Sequence, residues 1–476
     1  MLESEQVRYV STRGQAPVLS FDDVLLAGLA SDGGLYVPQT WPSFSEDDIR
    51  DMRALTYQEL AVRVMGPFMG AAVTDDELTE VVEQAYAGFS HPAVAPLVQI
   101  GAHDWVMELF HGPTLAFKDY ALQVVGGLFD LILTRRGSRI TVVGATSGDT
   151  GSAAIEACRD REAVDVIILL PKGRVSEVQR RQMTTVTSSN VHAIEVEGTF
   201  DDCQALVKAL FNDPAFRSEV NLAAVNSINW ARIMAQTVYY FWAALQLGAP
   251  DRSLGFSVPT GNFGNVLAGY CAKRMGLPID RLVVGSNSND ILTRFLETGT
   301  MQSRGVVQTH SPSMDIQVSS NFERLLFEVV DRDSAEVERL MAQFALTGGY
   351  TLDSALHQEL LGLFRGFRVD NDATLRAIAE LYAATGMILD PHSVIGVIAG
   401  REAGHRDTGT PMVALATAHP AKFADVVEQA TGQRPALPGA LSDLLTRPER
   451  RAEVANDPEA VKALVRSLSR VPGASA

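Results

Sequence analysis

The sequence predicts an α/β protein with open, mainly parallel sheets. Three observations support this. Strand-like and helix-like segments alternate from about residue 139 onward, several strands end in turns that open into helices, and 46% of the residues are hydrophobic without an apolar run of membrane-spanning length. Strands that alternate with helices of ten or more residues are typical of βαβ units, whose strands run parallel. At 476 residues, the chain has room for two or three domains with sizeable cores.

The alternation can be followed segment by segment along the chain. Strands are predicted at 140–145 (ITVVGA), 164–170 (VDVIILL), 191–198 (VHAIEVEG), 254–261 (LGFSVPTG), 281–286 (RLVVGS) and 413–418 (VALATA). Helices are predicted between them at 147–160, 176–186, 199–213, 230–248, 265–276 and 290–299. The strands are short apolar runs bounded by Gly or Pro, and the helices run ten residues or more, which is the pattern of a parallel sheet with crossover helices.

The chain divides into four predicted parts. Residues 1–95 differ from the rest, because they are punctuated by Pro and Gly and contain helical stretches, and we predict a separate α+β domain there. A large α/β domain is predicted at 96–134 and 215–437, and a smaller α/β domain at 135–214. Residues 438–476 are predicted to be a helical tail.

Composition excludes several classes of function. With 40 Lys and Arg against 57 Asp and Glu, the net charge is −17, which argues against nucleic acids and anionic membranes as partners. Three widely spaced cysteines suggest no disulfide framework, and nine scattered histidines show no metal-ligand spacing, so no metal is expected. Because the first residues carry Glu3 and Glu5 and lack an apolar segment, we expect a cytoplasmic protein without a secretory signal.

A glycine-rich turn joins a strand to a helix in PTGNFGNVLAGY at 259–270. Its residues are Gly261, Asn262, Phe263, Gly264 and Asn265. Glycines let backbone N–H groups converge, and the helix N-terminus adds unpaired donors and a partial positive charge, as in phosphate sites. Neither a Walker A ending nor a G-x-G-x-x-G pattern is present, so the loop alone fits a phosphate cradle and an ordinary tight turn equally.

A second turn of the same placement, GATSGDTGSAA at 144–154, is rich in hydroxyl groups. Thr146, Ser147, Thr150 and Ser152 could hold a phosphate or a carboxylate at the start of a helix. Ordinary capping of that helix by Ser147 or Asp149 is the alternative. Two candidate anion sites in one chain make a phosphorylated cofactor together with an anionic substrate a hypothesis to test.

Lys118 is a candidate nucleophile in ELFHGPTLAFKDYALQ at 108–123. It follows apolar residues and a Gly-Pro turn, at the start of an apolar helix. Apolar surroundings disfavour the ammonium form, and the free amine can then form a Schiff base. From the residue alone, a lysine that extends to solvent or pairs with Asp119 is the alternative.

Thr417 lies where the predicted strand of VALATAHPAKF ends. Ligands of open α/β sheets bind at the carboxyl edge of the strands, so this position places a hydroxyl group near a possible ligand. The position of one threonine is not specific by itself.

Together, these segments resemble the threonine synthase family, pyridoxal-phosphate (PLP) enzymes of fold type II, the group that includes the tryptophan synthase β chain. The resemblance runs from the N-terminus to about residue 430. It is carried, in the family's order, by YVSTRG, FDDVLLAGLASDGGLYVP, FHGPTLAFKDYALQ, GATSGDTGSAA, VNSINWARI, PTGNFGN and ATAHPAKF. It implies two open, mainly parallel α/β sheet domains, of which the larger binds PLP, plus the α+β N-terminal domain.

The resemblance also implies roles for individual residues. Lys118 is the catalytic residue and holds PLP, and Thr417 hydrogen-bonds the pyridine nitrogen. The cofactor phosphate is bound by the backbone donors of Gly261, Asn262, Phe263, Gly264 and Asn265. Substrate anions are expected at Ser147, Thr150, Asn229 and Arg232, with helix capping and surface pairing as alternatives. At Asp149, many fold-type II enzymes have an asparagine near the 3′-oxygen of the ring, and its role stays open.

The reaction that the resemblance implies converts O-phospho-L-homoserine and water to L-threonine and phosphate. A related PLP-dependent lyase that yields a keto acid and ammonia is the alternative, because fold and cofactor do not fix the reaction. A phosphate-binding protein without catalysis is a third hypothesis, against which the lysine argues. We expect a monomer or a homodimer.

The distribution of charge agrees with an anion site in an acidic protein. Between Val220 and Ile279, Asp251 is the one acidic residue, against the four bases Arg232, Arg252, Lys273 and Arg274. A region cleared of acids suits a phosphate or carboxylate ligand.

Overall fold

The computed structural model of the chain describes residues 7–146, 148–223, 227–403 and 409–472. Its strands are β1 (Tyr9–Ser11), β2 (Tyr36–Pro38), β3 (Leu97–Gln99), β4 (Asp104–Glu108), β5 (Ile140–Ala145), β6 (Val164–Pro171), β7 (Val191–Val196), β8 (Leu222–Ala223), β9 (Leu254–Pro259), β10 (Ile279–Ser286), β11 (Thr300–Gln302), β12 (Gly349–Thr351), β13 (Phe364–Arg368), β14 (Met412–Ala416) and β15 (Ala452–Val454).

Helices connect and cover these strands. They are α1 (Phe21–Ala27), α2 (Glu46–Asp51), α3 (Tyr57–Met69), α4 (Asp75–Tyr86), α5 (Lys118–Arg136), α6 (Asp149–Cys158), α7 (Glu177–Thr184), α8 (Phe200–Phe211), α9 (Pro214–Glu219), α10 (Trp230–Gln246), α11 (Gly264–Arg274), α12 (Ile291–Thr298), α13 (Phe322–Val329), α14 (Ser334–Thr347), α15 (Ser354–Leu361), α16 (Asn371–Thr385), α17 (Pro391–Ala403), α18 (Ala424–Thr431) and α19 (Pro458–Leu468). None of the helices in the described ranges is long and apolar enough to span a membrane.

The larger sheet has six strands in the order β13-β10-β9-β14-β4-β3. All neighbours are parallel except the edge pair β3 and β4, which is antiparallel. Every residue of β9 and β14 is buried, because helices cover both faces, as parallel sheets require. The predicted run of strands and helices from residue 254 to 299 is confirmed in this sheet.

The smaller sheet has five parallel strands in the order β15-β7-β6-β5-β8. Its central strand β6 is buried along its whole length, which agrees with the unbroken apolar run VDVIILL. The two sheets together confirm the prediction of open, mainly parallel α/β architecture.

The C-terminal segment differs from the expected helical tail, because it completes the smaller sheet. Its strand β15 pairs with β7, and Arg451 forms an ion pair with Glu195 on that neighbour at 2.8 Å. Helix α19 buries Val461 and Val465 in the core of the same sheet. A three-residue strand with an exposed glutamate carries little sequence signal, so only pairing with β7 reveals it.

This packing gives a testable expectation for stability. Val461→Ala should lower the free energy of unfolding by about 2 kcal/mol, because it leaves a cavity in a closed core. Ser467→Ala, at an exposed position of the same helix, should change it by less than about 0.5 kcal/mol. Urea unfolding of both variants measures the difference, and equal values would contradict the buried contact of α19.

The N-terminal segment packs on the larger sheet rather than standing apart. Trp230 of α10 contacts the rings of Tyr9, Trp41 and Phe68 at centroid distances of 5.7 to 6.1 Å. The Tyr9 hydroxyl donates a hydrogen bond to the carbonyl of Phe68 at 2.6 Å. Because one apolar core joins the two parts, their division into separate domains near residue 95 stays a prediction.

The carboxyl edges of both sheets lead to one region. In the larger sheet, β9 ends directly before the glycine-rich turn and β14 directly before Thr417. In the smaller sheet, β5 ends shortly before α6 begins at Asp149. Ligands of open α/β sheets bind outside these edges, so this region is where the site is expected.

Candidate active site

A cavity lies at this edge. Of the predicted site residues, it is lined by Lys118, Thr150, Arg232, Gly261, Asn262, Phe263, Gly264, Asn265 and Thr417. Residues separated by up to three hundred positions in the sequence therefore meet in one place. Ser147 lies outside the described residues, and Asn229 does not line the cavity.

The glycine-rich turn presents unused hydrogen-bond donors to the cavity. In the described part of the chain, the backbone N–H groups of 261–265 have no acceptor, because α11 begins at Gly264 and its first bond back runs from Leu267 to Phe263. Gly261, Asn262 and Gly264 are partly exposed and line the cavity, so this row of donors is open to an anionic ligand. Their placement at a helix N-terminus suits a phosphate.

The turn is held in shape by its neighbours. Phe263 has φ +63°, a left-handed conformation that is strained for a bulky side chain, and its ring is fixed against Phe322 at a centroid distance of 5.1 Å. A Cβ on Gly261 would lie 3.0 Å from both Ile316 Cδ1 and the carbonyl oxygen of Ser313, so these neighbours would have to shift by a few tenths of an ångström to admit a side chain. Glycine at position 261 avoids this crowding.

Lys118 is the first residue of α5 and is buried beside the cavity. The turn before it is anchored by Asp119, whose carboxylate accepts hydrogen bonds from the Thr114 N–H at 2.8 Å and hydroxyl at 2.6 Å. Lys118 Nζ lies 3.3 Å from Asp149 Oδ2. Burial lowers the pKa of Lys118, although the charge of Asp149 opposes this, so the free amine is more accessible than on a surface lysine.

Asp149 is ionised and held by two lysines. Its Oδ1 accepts hydrogen bonds from Lys422 Nζ and Gln179 Nε2, each at 2.7 Å, while Oδ2 faces Lys118. Burial acts to raise the pKa of Asp149, but the ammonium groups of Lys422 and Lys118 outweigh it and hold the pKa far below its usual range. Sequence reasoning missed Lys422, although it lies in the motif ATAHPAKF that was recognised.

Hydrogen bonds of its own backbone fix Thr417 next to Phe117, the residue before Lys118. Its carbonyl accepts a hydrogen bond from the Phe117 N–H at 2.9 Å, and its own N–H donates to Ser393 Oγ at 2.8 Å. Ser393 in turn bonds the buried carboxylate of Asp390, which also accepts from His392 Nδ1 at 2.8 Å. Within the described chain the Thr417 hydroxyl makes no hydrogen bond, so it is available to a ligand in the cavity.

Arg232 and Asn229 lie close in sequence but differ in their surroundings. Arg232 lines the cavity, is buried, and has no hydrogen-bond partner in the described chain for Nε and Nη1. Burial lowers its pKa to about 10. Asn229 caps α10 by accepting from the Ala231 N–H at 3.0 Å and donates to the Leu25 carbonyl at 2.8 Å. Each end of the Asn229 amide is engaged inside the fold and the residue does not line the cavity, and its contact with substrate stays a prediction.

Comparison with known proteins identifies the family. A family model described as "Pyridoxal-phosphate dependent enzyme" matches residues 92–355. Models described as "Threonine synthase N terminus" and "Threonine synthase, C-terminal" match residues 8–86 and 393–465. The three matches cover the N-terminal segment, the smaller sheet with its C-terminal strand, and the larger sheet except β13.

Relatives match along the whole chain. Threonine synthase of Pseudomonas aeruginosa is 54% identical over 460 residues, covering 96% of this chain and 98% of its own. The crystal structure of PLP-bound threonine synthase from Brucella melitensis superposes with a TM-score of 0.96 at 54% identity, covering 98% and 100% of the two chains. The yeast threonine synthase structure gives a TM-score of 0.93 at 40% identity, covering 98% and 99%. The predicted fold class and cofactor are confirmed, and the chain belongs to the threonine synthase family of pyridoxal-phosphate enzymes of fold type II.

Proposed function

We propose that this protein converts O-phospho-L-homoserine and water to L-threonine and phosphate. One observation carries the proposal beyond family membership: among the described residues, the same cavity holds a buried amine, a row of unbonded backbone donors, and a buried guanidinium with two unbonded nitrogens. Each group meets a separate requirement of the reaction. The cofactor needs an amine, the cofactor phosphate needs a binding site, and the substrate phosphate needs a cation.

The residues of the cavity fit PLP. Its phosphate would be held by the backbone N–H groups of 261–265, its aldehyde by Lys118 Nζ, and its ring nitrogen by the Thr417 hydroxyl. Bound PLP supplies an electron sink for carbanions next to the substrate nitrogen. Since a neutral hydroxyl does not keep the ring nitrogen protonated as an aspartate would, other groups of the site must assist.

Lys118 would move the protons of the reaction. Its amine would take a proton from substrate Cα and, once that proton has been handed on, a second one from Cβ, so that phosphate leaves from Cγ with the electron pair of the broken bond. The two protons would be returned to Cγ, which becomes the methyl group, and to Cα, while water supplies the hydroxyl group at Cβ and its remaining proton leaves with the phosphate. One amine can serve these transfers because burial lowers its pKa toward the working range of a general base.

The substrate phosphate needs donors of its own, because the turn at 261–265 is committed to the cofactor. Arg232 is our main candidate, since two of its guanidinium nitrogens are buried without partners beside that turn. Thr150, in the first turn of α6, also lines the cavity and adds a hydroxyl group. The contact of Ser147 with substrate stays a prediction. The cytoplasmic location and the monomeric or homodimeric state of the protein also stay predictions.

Product analysis tests this function directly. The purified protein with PLP should release phosphate from O-phospho-L-homoserine and form threonine in equal amount. Phosphate release, amino-acid analysis and ammonia are measured on the same sample. Ammonia and 2-oxobutanoate in place of threonine would contradict the proposal and favour the related lyase, and ligand binding without turnover would favour a binding protein.

A further inference from the structure

Lys422 is a fully buried lysine at the edge of the site. It lies in the short 3₁₀ turn Pro420–Phe423 after β14, and its side chain is 0% exposed. Its ammonium bonds Asp149 Oδ1 and the carbonyl oxygen of Thr114, both at 2.7 Å. Burying an ammonium costs several kcal/mol before pairing, so a position that needs only packing would carry an apolar residue.

The two partners of Lys422 come from different parts of the fold. Asp149 begins α6, which follows β5 of the smaller sheet, while Thr114 lies in the turn that leads to Lys118. Two glutamines of α7 reinforce both contacts, since Gln179 bonds Asp149 Oδ1 at 2.7 Å and Gln182 bonds the Thr114 carbonyl at 3.0 Å. The Lys422 ammonium thus connects segments of both sheets beside Lys118.

We propose that Lys422 is a positioning residue for the reaction, which holds the Asp149 carboxylate by Oδ1 so that Oδ2 alone faces Lys118. It acts on Lys118 through this carboxylate and through its own charge. The inference rests on the proposed role of Lys118 as the amine that takes the cofactor.

The charges around Lys118 fix the sign of the expected effect. Besides burial, the pKa of Lys118 is raised by Asp149 and lowered by the positive charges of Lys422 and Arg232. Lys422 also faces Asp119 and His419, and its charge acts to lower the pKa of both groups. Loss of the Lys422 charge should therefore raise the pKa of Lys118, whereas loss of the Asp149 charge should lower it.

The test follows how fast added PLP forms its visible colour with the full-length, cofactor-free chain as pH is varied. The aldehyde condenses with the unprotonated amine and releases water, so the midpoint of the rate profile tracks the pKa of Lys118. We expect Lys422→Gln to move the midpoint up by about one pH unit and Asp149→Asn to move it down by a similar amount. Lys422→Arg keeps the charge and should leave the midpoint near that of the wild type.

Lys422→Gln removes a buried partner of Asp149, and this variant could fail to fold for that reason alone. A double variant keeps the test valid in that case. In Asp149→Asn/Lys422→Gln neither charge is buried alone, and its midpoint should lie above that of Asp149→Asn and close to that of the wild type. A purely structural role would slow the reaction at every pH without moving the midpoint, and that result in both backgrounds would overturn the inference. Lys118→Ala separates the two proposals, because specific colour in this variant would instead refute the assigned amine.

Discussion

Lys118→Ala is expected to abolish the visible colour of the protein with PLP and to lower turnover of O-phospho-L-homoserine by at least about a thousandfold. The lysine is the buried amine of the cavity, and in the proposed reaction it carries both the attachment of the cofactor and the proton transfers. Removing it therefore takes away two functions at once. Absorbance spectra and phosphate release on the same preparation measure both.

An exposed lysine provides the matched control. Lys208 is an exposed residue of α8 that does not line the cavity, and Lys208→Ala should keep full colour and turnover. Thermal unfolding of both variants separates loss of chemistry from loss of fold. If a folded, colourless Lys118→Ala protein retained turnover, the assignment of Lys118 as the catalytic amine would be wrong.

The parallel sheets could be predicted because their strands have a strong local signature. The run VDVIILL is buried on both faces in β6, and PTGNFGN joins β9 to α11 as its glycines indicate. The short strands β13 and β15 could not be predicted in this way. They contain charged residues and exist only through pairing with β10 and β7, so the information lies in distant parts of the chain.

The site was predictable where a motif carries its own chemistry. Lys118, the turn at 261–265 and Thr417 meet in one cavity. Lys422 was missed because the sequence alone does not distinguish it from a surface lysine. Its burial depends on Asp149, whose Oδ1 lies 2.7 Å from Lys422 Nζ. An amide before a helix suits a cap as well as a ligand, and Asn229 caps α10 here, so its contact with substrate stays a prediction.

The second large effect concerns Arg232, whose replacement should separate activity from stability. Arg232→Met is expected to lower kcat/KM for O-phospho-L-homoserine by about a hundredfold to a thousandfold, because a charge-assisted contact to phosphate is lost. The free energy of unfolding of the cofactor-free chain should stay equal or rise by about 1 kcal/mol, because the substitution removes a buried guanidinium with two unbonded nitrogens. Steady-state kinetics and urea unfolding measure the two effects.

Arg324 is the control that the same chain offers. It is equally buried and burial lowers its pKa to about 10 as well, but its guanidinium bonds the carbonyls of Tyr36 at 2.9 Å and Ile228 at 2.6 Å and the side chain of Asn321 at 2.5 Å. Arg324→Met should therefore lower the free energy of unfolding by about 3 kcal/mol, since three acceptors lose their donor. If Arg232→Met destabilised the chain as much as Arg324→Met does, Arg232 would be a structural residue, and the substrate phosphate would need another cation.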